Sequence, residues 1–267
     1  EIRMFPRLSL AGAALRRVAT TLLAPLLALM ALWWAVVLVF APPPFLLPGP
    51  DRVVVAFVRH AGSLLSDGAV TGVEMVLGLL AGVVFGVGAA IVMTLVPWTA
   101  RLVMPAIVIV QSLPVFAIAP VLVLWFGFGL ASKIVMATLI IFFPVTASLH
   151  DGLSRLDPGL LDLARLHRAS RFDTFRFLRL PAAVPALVSG LRMAATVAPI
   201  GAVIGEWVGA SQGLGLMMMH ANARLQTDVM FAALFVLAVL AVGLRALVEH
   251  LTRRWAPWVP ETGPAFL

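Results

Sequence analysis

Two carboxylates stand inside long apolar runs of this 267-residue chain: Glu74, within Ala69 to Val96, and Glu206, near the end of Pro185 to Val208. An ionisable group at membrane depth is costly, so it faces a bundle interior or a cavity. Gln111, Ser112 and Pro114 interrupt a third run, where Pro114 and Pro120 free backbone carbonyls that only protein or water can satisfy. Glu74, Glu206, Gln111, Ser112 and Pro114 are therefore candidates for lining a solute path. Glu74 and Glu206 can equally be structural acids, hydrogen-bonded to a neighbouring helix or lying at the interface, and both readings stay open. Other chemistry is poorly supplied. His220 follows Met217, Met218 and Met219, but one histidine without nearby Cys, Asp or Glu is no metal site. The chain has no cysteine, hence no disulfide and no thiolate ligand. It carries no Gly-Lys-Ser/Thr phosphate loop, and no nucleophile or paired-carboxylate spacing stands out. Neither an enzyme activity nor a cofactor is expected of the chain itself.

The elements that must position these residues follow from composition. Hydrophobic residues make up 62% of the chain and charged ones 12%, with a mean hydropathy of +1.06. Soluble globular chains carry about 25% charged residues, so soluble, disordered and fibrous classes are excluded. The expected fold is an all-α, polytopic membrane bundle of about six spans, each needing roughly 20 apolar residues. The spans are placed at about 18–41, 69–96, 102–125, 134–149, 185–208 and 229–248, within one membrane domain covering 18–255. A basic N-terminus, 1–17, precedes it and a tail, 256–267, follows. The first apolar run ends in Pro42-Pro43-Pro44 without a small-residue cleavage pattern, so it reads as a retained helix. Span two carries Gly78, Gly82, Gly86 and Gly88, the small residues that let helices approach closely in lipid. Span three, with Pro105, Pro114 and Pro120, should be kinked or broken. Arg192 and Arg245, near the ends of their spans, can snorkel.

Net charge is +7. Six spans put both termini on the same side as the turn at Arg101 and the polar segment 150–179. Thirteen basic residues fall on that side, against Arg52, Arg59, Lys133 and Arg224 on the other. Excess Lys and Arg mark the cytoplasmic side, so the termini and the 150–179 segment are expected to be cytoplasmic.

That segment is the richest in signals. Asp157-Pro158 is a helix start, an N-cap followed by proline at the first helical position. Leu160, Leu161 and Ala164, less cleanly Leu163 and Leu166, form an apolar stripe, with Asp162, Arg165 and Arg168 on other faces. Ser170 and Asp173 resemble a capping box and start a second short helix carrying Phe172, Phe175 and Leu178. Pro181 and Pro185 are expected to break the chain before span five. Two short helices, apolar on one side and basic on the other, can lie on anionic membrane lipid or insert into the groove of a soluble partner.

The stretch Asp162-Leu163-Ala164, then Arg168, then Leu178-Arg179-Leu180-Pro181, resembles the EAA loop of permease subunits in bacterial ABC importers, with matching spacing throughout. Further similarity covers most of the chain: Pro44-Phe45-Leu46-Leu47-Pro48-Gly49-Pro50, Gln111-Ser112-Leu113-Pro114, Trp125-Phe126-Gly127, Gly205-Glu206-Trp207 and Gly213-Leu214-Gly215. Together these resemble the nitrate/sulfonate/taurine-type permeases, including relatives assigned to thiamine-precursor pyrimidines. Asp162 replaces the motif's first Glu, and Arg168 its glycine. A non-Gly residue in the left-handed conformation that glycine permits costs roughly 1–2 kcal/mol, so either the turn differs here or Arg168 adopts it at that cost.

The resemblance implies a type I importer permease fold and a homodimer in the bacterial inner membrane. It implies two cytoplasmic ABC ATPase subunits docked on the 150–181 loop, with ATP bound by them. A periplasmic or lipid-anchored binding protein would deliver a small organic solute, a thiamine-precursor pyrimidine or a sulfonate such as taurine. The ATPase-coupling residues would be Asp157, Asp162, Ala164, Arg165, Arg168, Leu178 and Pro181. The alternatives are a stand-alone secondary carrier or channel, expected to show related halves, and a passive membrane scaffold.

Overall fold

The computed structural model describes residues 24–258; the basic N-terminus 1–17 and most of the tail lie outside the described residues. Every regular element described is helical. In order these are α1 (Ala24–Phe40), α2 (Pro50–Arg59), α3 (Ala61–Leu95), α4 (Pro97–Ser112), α5 (Val115–Phe126), α6 (Leu130–Ser154), α7 (Pro158–Leu166), α8 (Arg171–Gly209), α9 (Leu214–Ala223) and α10 (Thr227–Thr252). Among the described residues, α3, α6, α8 and α10 are each long and apolar enough to cross a membrane. The pair α4 and α5 makes one bent span, and α1 is a shorter apolar helix.

The core is built on α6. Along α3, Gly78, Gly82 and Gly86 face Ala137, Ile141 and Val145 of α6, one contact per helical turn, so the two helices run parallel. On the other side, Gly190, Gly201 and Gly205 of α8 face Ser148, Ala137 and Lys133, in the opposite sense. A Cβ on Gly201 would sit 2.6 Å from the Cα of Ala137. Small residues on both flanking helices thus bring three backbones together, which is how helices associate in lipid without a hydrophobic drive. Met75, Leu79, Ala194, Ala195 and Ala198 complete this cluster.

Several expected boundaries shift. The mixed stretch after span one is helical: α2 is amphipathic, and α3 begins at Ala61 rather than at 69. With 35 residues, α3 is about 52 Å long, well beyond the hydrocarbon thickness. Span three is two helices meeting at 101° at Leu113 and Pro114, because a proline removes a helical hydrogen bond. The expected break at Pro181 and Pro185 is absent. The second short helix runs on as one 39-residue helix, Arg171–Gly209, through a wide π turn at Thr174–Arg179. Such a turn re-satisfies backbone groups freed by a nearby proline, and Leu180 N–H donates to the Phe175 carbonyl across it. The polar connection 209–228 contains α9. Arg192 and Arg245 converge on Glu249, each 3.9 Å from a carboxylate oxygen, so they are paired to one acid.

The close crossing of α6 and α8 makes a sharp expectation. Gly201→Ala should cost roughly 1–3 kcal/mol by overpacking. Gly88→Ala, whose Cβ meets nothing within 4 Å, should cost nothing. Thermal unfolding of both variants in one detergent checks this; equal midpoints would contradict the packing.

Candidate functional site

The polar end of the molecule beyond α6 is organised by short-range chemistry. Asp157 caps α7, its Oδ1 accepting from Gly159 N–H at 2.7 Å, and Asp162 pairs with Arg165 on the exposed face at 2.9 Å. At the other end of α7, Ala169 N–H donates to the Ala164 carbonyl and Arg168 N–H to that of Arg165. These two bonds form a Schellman motif with Arg168 at its left-handed position, and Arg168 has φ +52°. The turn is the one glycine would favour, made here by an arginine. Ser170 then caps α8, its Oγ accepting from Asp173 N–H at 3.0 Å.

The stripe on α7 divides. Ala164 is buried and Leu161 half-buried against the body. Leu160, Leu163 and Leu166 are exposed at 42%, 50% and 81%. Beside Asp162 and Arg165 they make an apolar and charged face with no partner among the described residues. Leu178 lies half-buried in the wide turn, and Pro181 is exposed just after it.

Inside the bundle a second group of polar residues gathers. Lys133, counted from sequence among the connecting residues, is a buried residue of α6. Its Nζ donates to Glu74 Oε1 at 2.6 Å. Its backbone packs on Gly205, next to Glu206. Glu206 is fully buried. Thr71 Oγ1–H donates to Glu206 Oε1 at 2.6 Å, and the N–H groups of Gly215 and Leu216 donate to its Oε2. Leu214 N–H donates to Thr71 Oγ1 at 2.9 Å, and Trp207 Nε1 to the Gly215 carbonyl at 2.9 Å. The carboxylate therefore seats the N-terminus of α9, where free amides and the helix dipole favour negative charge. Gly213, at φ +132°, leaves no room for a Cβ against that carboxylate.

Of the residues proposed to line a path, Glu74 and Glu206 are thus brought together around Lys133 and hydrogen-bonded. Gln111 lies in the last turn of α4 and donates through Nε2 to the Leu139 carbonyl at 2.8 Å. Ser112 is exposed and bonds within α4, and Pro114 stands at the bend. These three share no hydrogen bond with the Glu74–Glu206 group among the described residues. Sequence reasoning missed Lys133 and Thr71. The available signal was that the single lysine falls beside an apolar run and Glu74 inside another, and that Thr71 lies one turn before Glu74.

Removing one partner of a buried ion pair strands the other charge, at roughly 3–5 kcal/mol. Lys133→Met should therefore destabilise the protein by about that amount, and Glu74→Gln in the same chain should restore part of it. A double-mutant cycle on thermal unfolding reads this; additive losses would contradict the pairing. Arg168→Gly should relieve the left-handed strain, stabilising the turn by up to about 1 kcal/mol. Slower amide exchange over residues 164–170 is the expected readout.

Residues 82–257 match the family model described as "binding-protein-dependent transport system inner membrane component". The chain is 47% identical over 237 residues to a probable ABC transporter permease protein of Haemophilus influenzae, covering 88% of this chain and 97% of that one. It is 33% identical to the taurine transport system permease protein TauC of Escherichia coli, covering 91% of each. To the formylaminopyrimidine transport permease protein ThiX of Halalkalibacterium halodurans it is 32% identical, covering 80% of this chain and 86% of that one. Among solved structures, a chain of the inward-facing MetNI methionine ABC transporter superposes with a TM-score of 0.64 at 20% identity, covering 74% of this chain and 98% of that one. The extended match and the helical architecture agree: this multi-pass membrane protein belongs to the ABC transporter permeases of the binding-protein-dependent inner membrane component family.

Proposed function

We propose that this chain is the transmembrane subunit of an ATP-driven importer, with α7 as the docking element for a separate cytoplasmic ATPase. The observation that carries the reading is the exposed face of α7. It combines Leu160, Leu163 and Leu166 with Asp162 and Arg165, and it is fixed by a cap at one end and a Schellman turn at the other. A rigid helix presenting an apolar stripe suits insertion into a partner's groove.

The same geometry suggests how docking drives transport. After the turn at Arg168, the chain enters α8, which runs about 58 Å without a break. At its far end Glu206 holds the start of α9. Displacement of α7 by ATP-dependent closure of the ATPase pair is carried along α8 to α9, alternately opening the two sides. Pro185, Pro199 and the wide turn at 174–179 are the points where α8 can bend. The basic side is cytoplasmic. With Lys133 buried in an ion pair, the charge count supporting that orientation becomes thirteen against Arg52, Arg59 and Arg224.

A second copy of the chain completes the pathway, and a binding protein delivers the solute to the α9 side. The solute is a small organic molecule. Relatives named for formylaminopyrimidine, taurine and aliphatic sulfonates support that class, and a thiamine-precursor pyrimidine is the reading preferred here over a sulfonate.

Gentle extraction of the tagged chain from its native membrane should bring down a stoichiometric soluble ATPase. Leu163→Asp with Leu166→Asp, both on the exposed face, should abolish its capture without altering the chain's thermal midpoint. A chain that purifies alone and moves solute in liposomes without ATP would overturn the proposal in favour of a secondary carrier.

A further inference from the structure

Between α7 and the body of the bundle, on the side of the buried Ala164, lies a cavity of about 560 Å³. Its walls come from the α3–α4 junction, from α7 and from the start of α8. Three guanidinium groups border it, Arg165, Arg171 and Arg179, and no acid does. Arg165 is shared with Asp162, whereas Arg171 and Arg179 make no ion pair among the described residues. The rest of the wall sets the hydroxyls of Thr94 and Thr174 beside an apolar part made chiefly by Leu95, Leu161 and Phe175.

Three like charges around one cavity repel each other unless an anion sits between them, and guanidinium forks match phosphate oxygens in particular. The surroundings give the depth of the site. Trp98, Phe172 and Phe177, each within two residues of one that lines the cavity, are all more than half exposed, and aromatic side chains gather at the membrane–water boundary. Arg176 lies over the Phe177 ring at 5.5 Å, an amphipathic pairing suited to that boundary. A free inorganic anion would leave the apolar wall unused, whereas a lipid uses both.

We propose that this cavity binds the phosphate of an anionic phospholipid from the leaflet at the basic end, with acyl carbons against Leu95, Leu161 and Phe175. Because the walls belong to three elements, the bound lipid joins the docking helix to α3 and α8. Anionic lipid then becomes part of the contact that holds α7 in register with the bundle. The site shares Arg165 with the α7 face that meets a partner, but Arg171 and Arg179 lie outside that face, so a test through those two is independent of the proposed docking.

The test uses the full chain in detergent, titrated with phosphatidylglycerol and followed by native mass spectrometry. One phosphatidylglycerol is expected to stay bound in excess phosphatidylcholine. Arg171→Gln with Arg179→Gln should weaken it about thirtyfold, at the usual strength of a basic residue near an anionic leaflet. Arg171→Lys with Arg179→Lys should recover most of the loss, and Arg52→Gln with Arg59→Gln should change nothing. No preference over phosphatidylcholine, or equal retention by the Gln pair, would overturn the site. Displacement of the lipid from wild type by millimolar inorganic phosphate would also overturn it, as a free-anion site. So would its displacement by the co-purified ATPase, which would assign these arginines to a protein contact.

Discussion

The approach of α3 and α8 to the two sides of α6 is the constraint on which everything else rests. Glycines at one-turn intervals let three backbones pack almost in contact, and in lipid that packing replaces the hydrophobic drive available in water. It also determines where charge can go. Lys133 lies one turn from Ala137, which both flanking helices approach closely, so its ammonium reaches Glu74 on one side while its backbone packs beside Glu206 on the other. A buried ion pair is weak evidence for stability, since desolvation offsets much of the attraction. Its value here is registry: with Glu74 and Lys133 paired, α3 and α6 cannot slide by a turn without stranding both charges.

From that fixed centre the two ends of the molecule acquire different characters. The basic end is held by local devices, the caps at Asp157 and Ser170 and the turn at Arg168, and it leaves the leucines of α7 outward. The opposite end is held by a buried carboxylate that seats a helix start. One helix, α8, joins them. In the proposed importer such a joint is needed, because the nucleotide and the solute act on opposite faces of a membrane. Helix α3 also reaches both ends, through Leu95 beside α7 and Thr71 against Glu206, but α8 alone of the two is continuous with the docking loop.

Much of this was legible in the sequence, and the remainder was hidden for definable reasons. Apolar runs gave the bundle, Pro114 gave the broken span, and Asp157-Pro158 gave the start of α7. At Arg168 the resemblance left two alternatives, a different turn or a left-handed arginine, and the structure has the second. Pro181 and Pro185 misled, because a proline's effect depends on whether the preceding turn can widen, which no single residue reports. Lys133 misled as well: near the end of an apolar run it looks like a flanking charge, and only the pairing of α3 with α6 reveals its partner. The helix at 214–223 was obscured by Gly213 and Gly215, which serve the close approach of Glu206 rather than marking a loop. The division of the α7 stripe into a buried and an exposed half depends on the tilt of that helix, which periodicity does not contain.

The central claim is that α7 and α9 move together because α8 joins them. The chain has no cysteine, so single cysteines at His167, exposed at the end of α7 and outside the leucine face, and at Met219 can carry spin labels without background. In the complex with its ATPase, the distance between labels on the two copies should change on ATP binding at both positions. Locking the ATPase in its nucleotide-free state should abolish both changes. A shift at His167 with none at Met219 would contradict the account, showing that motion at the docking helix is not carried through α8.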